Sequence, residues 1–309
     1  MNAEVFAEWL CRQGHHVVHT DSSYWYDAGP RVYQAFPYHW LIEPSEDELS
    51  KFLRDHGVVG LRYSTLLDSA PGRLSYHAVY EKPSYSLDIL GKWARKNVRR
   101  GLRCCSVEPV PLEHLATEGW ALQLDTLDRQ GRQMVLEKED WKRRCLAASD
   151  LPGFEAWGAL VNGQLTASVI TFLLDDCCYM LYQQSLRQHL GKKVNNALSY
   201  VVTETMVSRP SVRSILYGLH SLDAPPSVDE FKFRMGYVAK PIRQRVVFHP
   251  RLRFLFNSAS HTVLRQLLRS RPYHPSLSKA EGLVRFYLEG MRPISEQEWP
   301  KPLVGQRLG

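Results

Sequence analysis

The chain has 309 residues, 44% hydrophobic and 23% charged, a composition that supports a buried core, excludes global disorder and suits about two domains. A net charge of +7 with an isoelectric point near 9.1 favours anionic partners such as nucleic acid, CoA phosphates or a lipid headgroup surface, without choosing among them. No apolar run reaches the roughly 18 residues that cross a bilayer, and Met1–Gly14 carries Glu4 and Glu8 where an export signal is basic and then apolar, so a cytoplasmic protein is expected.

In chain order, His15–Thr20 and Tyr24–Asp27 read as short strands. Ser45-Glu46-Asp47-Glu48 has capping-box spacing, and the helix it opens should run to about His56 with Leu49, Phe52 and Leu53 on one face. Val58–Ser64 and Tyr76–Glu81 read as strands around a Pro71-Gly72 turn. A basic helix is predicted over Leu87–Arg103, with Lys92, Arg95, Lys96, Arg99, Arg100 and Arg103 on its polar side and Leu90, Trp93, Val98 and Leu102 at near-helical spacing. A strand at Ser106–Val110 and helices over Leu112–Gln130 and Glu137–Ala148 follow, the second opening on Glu137, Glu139 and Asp140.

The clearest stretch is a three-strand meander. Ala156–Val161 and Leu165–Leu174 flank the two-residue hairpin turn Asn162-Gly163, and Cys178–Gln184 returns after Asp175-Asp176. A glycine-bearing loop then leads into a long helix, Val194–Val207, with a strand at Ile215–Gly218, a short helix at Phe231–Gly236 and a last strand at Arg243–Phe248. From Arg251 the pattern is mostly helical, and after Met291 it is proline-rich and expected to be loose. No internal repeat stands out.

Cys104-Cys105 and Cys177-Cys178 are adjacent pairs, and Cys11 and Cys145 stand alone. None has the two-residue gap of a zinc site, so reduced thiols and no metal are expected. There is no Gly-x-Ser-x-Gly elbow, no phosphate loop ending in Gly-Lys-Ser/Thr and no His-x-x-x-His pair. His15-His16 reads as a strand edge.

Two segments carry the chemistry. Gln188-His189-Leu190-Gly191-Lys192-Lys193 joins the third meander strand to the long helix. A strand-to-helix loop presents unpaired N–H groups at the positive end of a helix, which suits an anion. A solvent-exposed basic turn would read the same way. The second segment is Val228-Asp229-Glu230-Phe231-Lys232-Phe233-Arg234-Met235-Gly236-Tyr237, where Lys232 is either a site cation or a surface lysine, with Phe231 and Tyr237 in the core. Between them lies Leu216-Tyr217-Gly218-Leu219-His220-Ser221-Leu222-Asp223, which offers His220 as a base near neutrality, or as a bystander.

The element order and these motifs resemble the GNAT acyltransferase superfamily. Gln188 and Gly191 match its pyrophosphate loop, and Lys193 stands where that loop has a small residue. In place of the tyrosine that protonates a leaving thiolate, the chain has Lys232 in a Phe-Lys-aromatic context similar to the Fem-type (FemABX-like) aminoacyltransferases, which are built from two GNAT-like halves. Lys96-Asn97-Val98-Arg99-Arg100-Gly101-Leu102 is similar to the basic helix of that group.

The resemblance implies an α+β fold of tandem GNAT-like halves, each a twisted, mostly antiparallel sheet flanked by helices. The expected division is a degenerate half at 1–86, a basic connecting helix at 87–103, the complete transferase domain at 104–250, and a helical extension at 251–309. It implies an N-acyltransferase that moves an acyl or aminoacyl group from acyl-CoA, acyl carrier protein or aminoacyl-tRNA to an amine by direct attack, with no tightly bound cofactor. Lys232, His220 and Asp223 are the candidate catalytic residues. Gln188, Gly191, Lys192, Lys193 and Asn195 are the candidate contacts to the donor's phosphates. The alternative is a non-catalytic protein of this fold that holds tRNA or another RNA, or an anionic membrane, through its basic helix. The segment Arg251–Arg271 could rest on a membrane surface or pack against the body.

Overall fold

The computed structural model describes residues 3–29, 31–69, 71–131, 137–222, 226–271 and 274–306. The chain begins with α1 (Ala3–Arg12), then β1 (Val17–His19), β2 (Tyr24–Gly29), β3 (Val32–Phe36), α2 (Glu46–Asp55), β4 (Gly60–Thr65) and β5 (Arg73–Tyr80). Next come α3 (Lys92–Cys104), β6 (Ser106–Val110), α4 (Leu112–Arg129) and α5 (Lys138–Leu146). β7 (Phe154–Val161), β8 (Gln164–Leu174) and β9 (Cys177–Ser185) lead through a 3-10 turn, Arg187–Lys192, into α6 (Val194–Val207). β10 (Ser214–Leu219), α7 (Pro226–Arg234), β11 (Val238–Phe248), α8 (Ser258–Ser270) and α9 (Pro275–Gly290) follow. The fold is mixed α/β.

Two compact units form, and neither is contiguous in sequence. The first comprises Met1–Gln13, Ala78–Gly218 and Pro225–Val238; the second comprises Gly14–His77, Leu219–Ala224 and Ala239–Gly309. A linear division at 86, 103 and 250 does not follow these units.

In the first unit the strand order is β10-β9-β8-β7-β6. β7, β8 and β9 form the three-strand antiparallel meander, and β6, joined to β7 through α4 and α5, pairs antiparallel on its outer edge. Asn162 and Gly163 both adopt positive φ, as a tight hairpin of this kind requires. β9 and β10 then pair in parallel. The core is made by Trp157, Val169, Cys178, Val194, Leu198, Val202, Ile215 and Tyr237 among others.

The second unit repeats the plan with a shorter meander, in the order β1-β2-β3-β4-β11. β1, β2 and β3 form an antiparallel meander, α2 crosses over, and β4 returns parallel to β3. β11 closes against β4 antiparallel. Leu49, Phe52 and Leu53 of α2 are buried with Trp25, Tyr33, Leu61 and Tyr63. In each unit, then, a meander, a crossover helix and a parallel strand follow one another.

The structure corrects several sequence expectations. α1 was not expected; it is amphipathic and buries Phe6, Trp9 and Leu10, with Trp9 Nε1 donating to the Arg144 carbonyl at 3.0 Å. β3 was also missed, because four of its five residues are buried and no alternation shows. The capping box is half present: Ser45 Oγ accepts from the Glu48 N–H at 3.1 Å, while the Glu48 carboxylate takes the Ser22 N–H and hydroxyl instead.

The predicted helix over Leu87–Arg103 is a 3-10 turn, Leu87–Ile89, then α3 from Lys92 with Gly91 as its N-cap. Its buried face is Ala94, Asn97, Val98 and Gly101. Of the apolar residues at near-helical spacing, Leu90 and Val98 are buried, while Trp93 and Leu102 are 48% and 40% exposed. The tail is anchored beyond Met291: Gln297 is buried, accepting from the Leu74 N–H at 2.6 Å and donating to the Gly72 and Arg292 carbonyls at 3.0 and 2.9 Å. Leu303 is fully buried.

Candidate active site

The parallel pairing of β9 with β10 lasts three residues, Ser214 to Leu216 against Cys177 to Tyr179. Beyond it β9 runs on to Ser185, and Tyr182 takes a positive φ where its register with β8 shifts. The two strands therefore part at the end that leads into the loop and α6. Side chains take over where backbone pairing stops: the Tyr217 hydroxyl donates to Gln183 Oε1.

Lys232 reaches this end of β10 from α7. It is buried, not a solvent-facing lysine, and its Nζ donates to Asp229 Oδ1 at 2.7 Å one helical turn earlier. The ammonium lies 5.5 Å from the centre of the Tyr217 ring, and a Cβ at Gly218 would be 3.5 Å from Nζ. Gly218 itself has φ +142°, a conformation that side-chain-bearing residues rarely adopt. Asp229 is the partner of Lys232 in a buried ion pair, and removing one member of such a pair leaves an uncompensated buried charge. Phe231 packs against the core, and Tyr237 is buried with its hydroxyl 2.7 Å from Thr203 Oγ1. Burial pushes the Tyr237 phenol well up, so it keeps its proton.

The loop is pinned to α4. The Arg187 N–H donates to Asp125 Oδ2 at 2.7 Å, and its guanidinium pairs with Asp128. Gln188 and Gly191 are exposed. Gly191 has open space around its Cβ position and no positive φ, so the local geometry does not demand glycine there. The left-handed residue is Lys193, with φ 65°, serving as N-cap of α6 without a side-chain hydrogen bond. That explains why a small residue suits this place: Lys193 pays for its Cβ in backbone strain. α6 carries no acidic residue in its first turn, and its first N–H groups lack intrahelical acceptors. Asn195 turns inward, its Nδ2 donating to Ser185 Oγ at 2.9 Å while its buried Oδ1 has no partner among the described residues.

Other residues at this end carry no sequence motif. Arg129 Nη2 donates at 3.1 Å to the Ser185 carbonyl, Ser185 Oγ and Thr126 Oγ1, tying the end of β9 to α4. Asp229 stood in the quoted motif at helical i, i+3 spacing from Lys232, which is the signal that finds it. Ser185 and Arg129 carry no such signal.

His220 belongs to the second unit. Its ring stacks on Tyr76 with centroids 4.6 Å apart, and Nδ1 lies 3.1 Å from Ser75 Oγ. Lys232 belongs to the first unit, and Asp223 lies outside the described residues. His15 Nδ1 is 2.8 Å from Asp27 Oδ1 in a groove of the second unit also lined by Arg31, Tyr33 and His56. Among the described residues no group of His, Cys, Asp and Glu could hold a metal ion. Cys105, Cys145, Cys177 and Cys178 are buried thiols, and burial pushes Cys145 and Cys177 up to about 12, far from a thiolate nucleophile. No described helix is long and apolar enough to cross a membrane.

No protein-family model matches the sequence, and no curated protein is similar to it. Solved structures are. FemX superposes with a TM-score of 0.55 at 10% identity, over 81% of this chain and 92% of FemX. The C-terminal domain of a putative lysylphosphatidylglycerol synthetase from Agrobacterium fabrum gives 0.53 at 12% identity, over 85% and 91%. L-PGS from Bacillus licheniformis gives 0.50 at 12% identity, over 78% and 87%. The chain has a GNAT-like fold resembling the Fem-type proteins. At these identities the likeness is one of fold.

Proposed function

We propose that the chain is an acyltransferase that moves an acyl or aminoacyl group from a phosphate-bearing donor to an amine, with the donor held in the first unit. The observation that carries this is the ammonium of Lys232, buried on Asp229 at the end of β10 where β9 parts from it. An acyl carbonyl seated there would develop negative charge on its oxygen as the amine attacks. Fixed positive charge at that place stabilises the transition state more than the ground state. The carbon–nitrogen bond forms, the carbon–sulfur or carbon–oxygen bond of the donor breaks, and the amine's proton leaves with the departing group or solvent. Lys232 supplies charge, Asp229 orients it, and no enzyme nucleophile is required. The donor's phosphates would lie on Lys192, Lys193 and the first N–H groups of α6. Acyl-CoA, acyl carrier protein and aminoacyl-tRNA all fit that description.

The test incubates the protein with each donor class and a mixture of amines, and follows acyl transfer by mass spectrometry. One donor should be consumed, and Lys232→Met should slow transfer about 10³-fold, the scale of losing one oxyanion-stabilising group; because it strands the Asp229 carboxylate it should also lower the melting temperature, so transfer is compared with Lys232→Met/Asp229→Asn at a temperature where both variants are folded. Consumption of no donor, or full activity in Lys232→Met, would refute the reading. A binding protein remains the second reading because Lys92, Lys96, Arg99, Arg100 and Arg103 of α3 are all exposed. It predicts salt-sensitive tRNA retention that survives Lys232→Met.

A further inference from the structure

Between Glu230 and Glu281 the chain carries eleven lysines and arginines and no aspartate or glutamate. α8 lies inside this stretch and has no buried residue. It is held on one side only: Leu264 packs against the cluster of Val246, Phe248, Leu283, Val284 and Phe286, and His261 Nε2 lies 2.8 Å from Glu281. With 3.6 residues per turn, Leu264 and Leu268 share the packed side, Val263 and Leu267 fall on one flank, and Arg265 and Arg269 on the other.

The apolar flank is uncovered. Val263 is 53% exposed and Leu267 44%, and just before the helix Phe254 and Leu255 are 73% and 48% exposed. Arg251, Arg253, Arg265, Arg269 and Arg271 are exposed as well. Among the described residues none of the five forms an ion pair. A helix whose apolar arc is wider than the face it packs, with unpaired arginines and no carboxylate of its own, has the two features that seat a helix in the plane of an anionic bilayer.

We propose that residues 251–271 form a docking surface for an anionic phospholipid membrane. Phe254, Leu255, Val263 and Leu267 enter the boundary between headgroups and acyl chains, and the five arginines sit at the level of the lipid phosphates. A nucleic acid would match the charge, but it gives the aliphatic flank of Val263 and Leu267 nothing to stack on or bond to. Charge and apolar area together select lipid. The inference does not depend on the transfer reaction.

The full chain is floated with vesicles of phosphatidylcholine alone and of phosphatidylcholine with phosphatidylglycerol in equal parts. Binding is expected only with phosphatidylglycerol and should fall with salt. Arg265→Glu with Arg269→Glu should weaken it about 30-fold, and Val263→Ser with Leu267→Ser about tenfold or more. These side chains are exposed, so melting profiles should hold. Absence of flotation overturns the proposal, as does flotation that the serine pair leaves unchanged. Retention of tRNA that is lost in the glutamate pair but kept in the serine pair would assign the surface to RNA and overturn it too.

Discussion

The two crossover helices, α6 in the first unit and α2 in the second, occupy the same place in the same local topology and begin in opposite ways. α2 is closed at its N-terminus by Ser45, followed by Glu46, Asp47 and Glu48, so its own carboxylates answer the positive end of the helix. α6 begins on a left-handed lysine, with no side-chain cap and no acid in its first turn. One helix end is neutralised from within; the other is left for an anion from outside. The difference teaches that repetition of a fold does not repeat its electrostatics. It assigns donor binding, within the proposed function, to the first unit.

The most forceful way to break this comparison is to disturb the start of α6 from behind. A Cβ at Gly101 of α3 would stand 2.6 Å from the Lys193 carbonyl oxygen and 2.8 Å from Ala197 Cβ. Backbone cannot yield as a flexible side chain can, so Gly101→Val should cost about 3 kcal/mol in chemical denaturation. It should also abolish any stabilisation by CoA.

Lys193→Gly separates strain from charge. Glycine relieves the left-handed backbone, so stability should rise by about 0.5–1 kcal/mol. The lost ammonium should weaken CoA binding about tenfold, a loss of about 1.4 kcal/mol. If stability and CoA response rise together, Lys193 is only a misfit.

The control lies in the other unit. Ser45→Ala removes one capping hydrogen bond and should cost about 1 kcal/mol of stability. It should leave the CoA response untouched. A changed response would mean that α2 is not closed to outside anions.

The sequence made the first unit's meander and α6 legible because their signals are local. Asn162-Gly163 demands a tight turn, and α6 runs from Val194 to Val207 as its pattern predicts. What it hid was tertiary. Apart from Val98, the buried face of α3 is made of small and polar residues, Ala94, Asn97 and Gly101, and Gly101 is where α3 comes closest to α6. The bulky Trp93 and Leu102, which share the helical spacing, are exposed. Lys232 could be read as a candidate, but its burial on Asp229 could not, since an i, i+3 ion pair is commonly a surface feature. His220 and Lys232 are twelve residues apart in sequence yet belong to different units, a partition that no linear pattern displays.

The smallest expected effect concerns Gly191, the residue that most suggests a phosphate loop. A methyl group there meets nothing within 4 Å, and the backbone is not left-handed. Gly191→Ala should therefore change stability by less than about 0.5 kcal/mol, as surface exchanges usually do. If glycine is present so that a donor phosphate can approach the backbone, the alanine methyl will stand in the ligand's way and weaken the CoA response without touching the fold. If the anion rests instead on Lys193 and the first turn of α6, Gly191→Ala will bind CoA as well as the parent while Lys193→Gly does not. The second result is expected, because the unanswered positive helix end begins at Lys193 and the space around Gly191 is merely open.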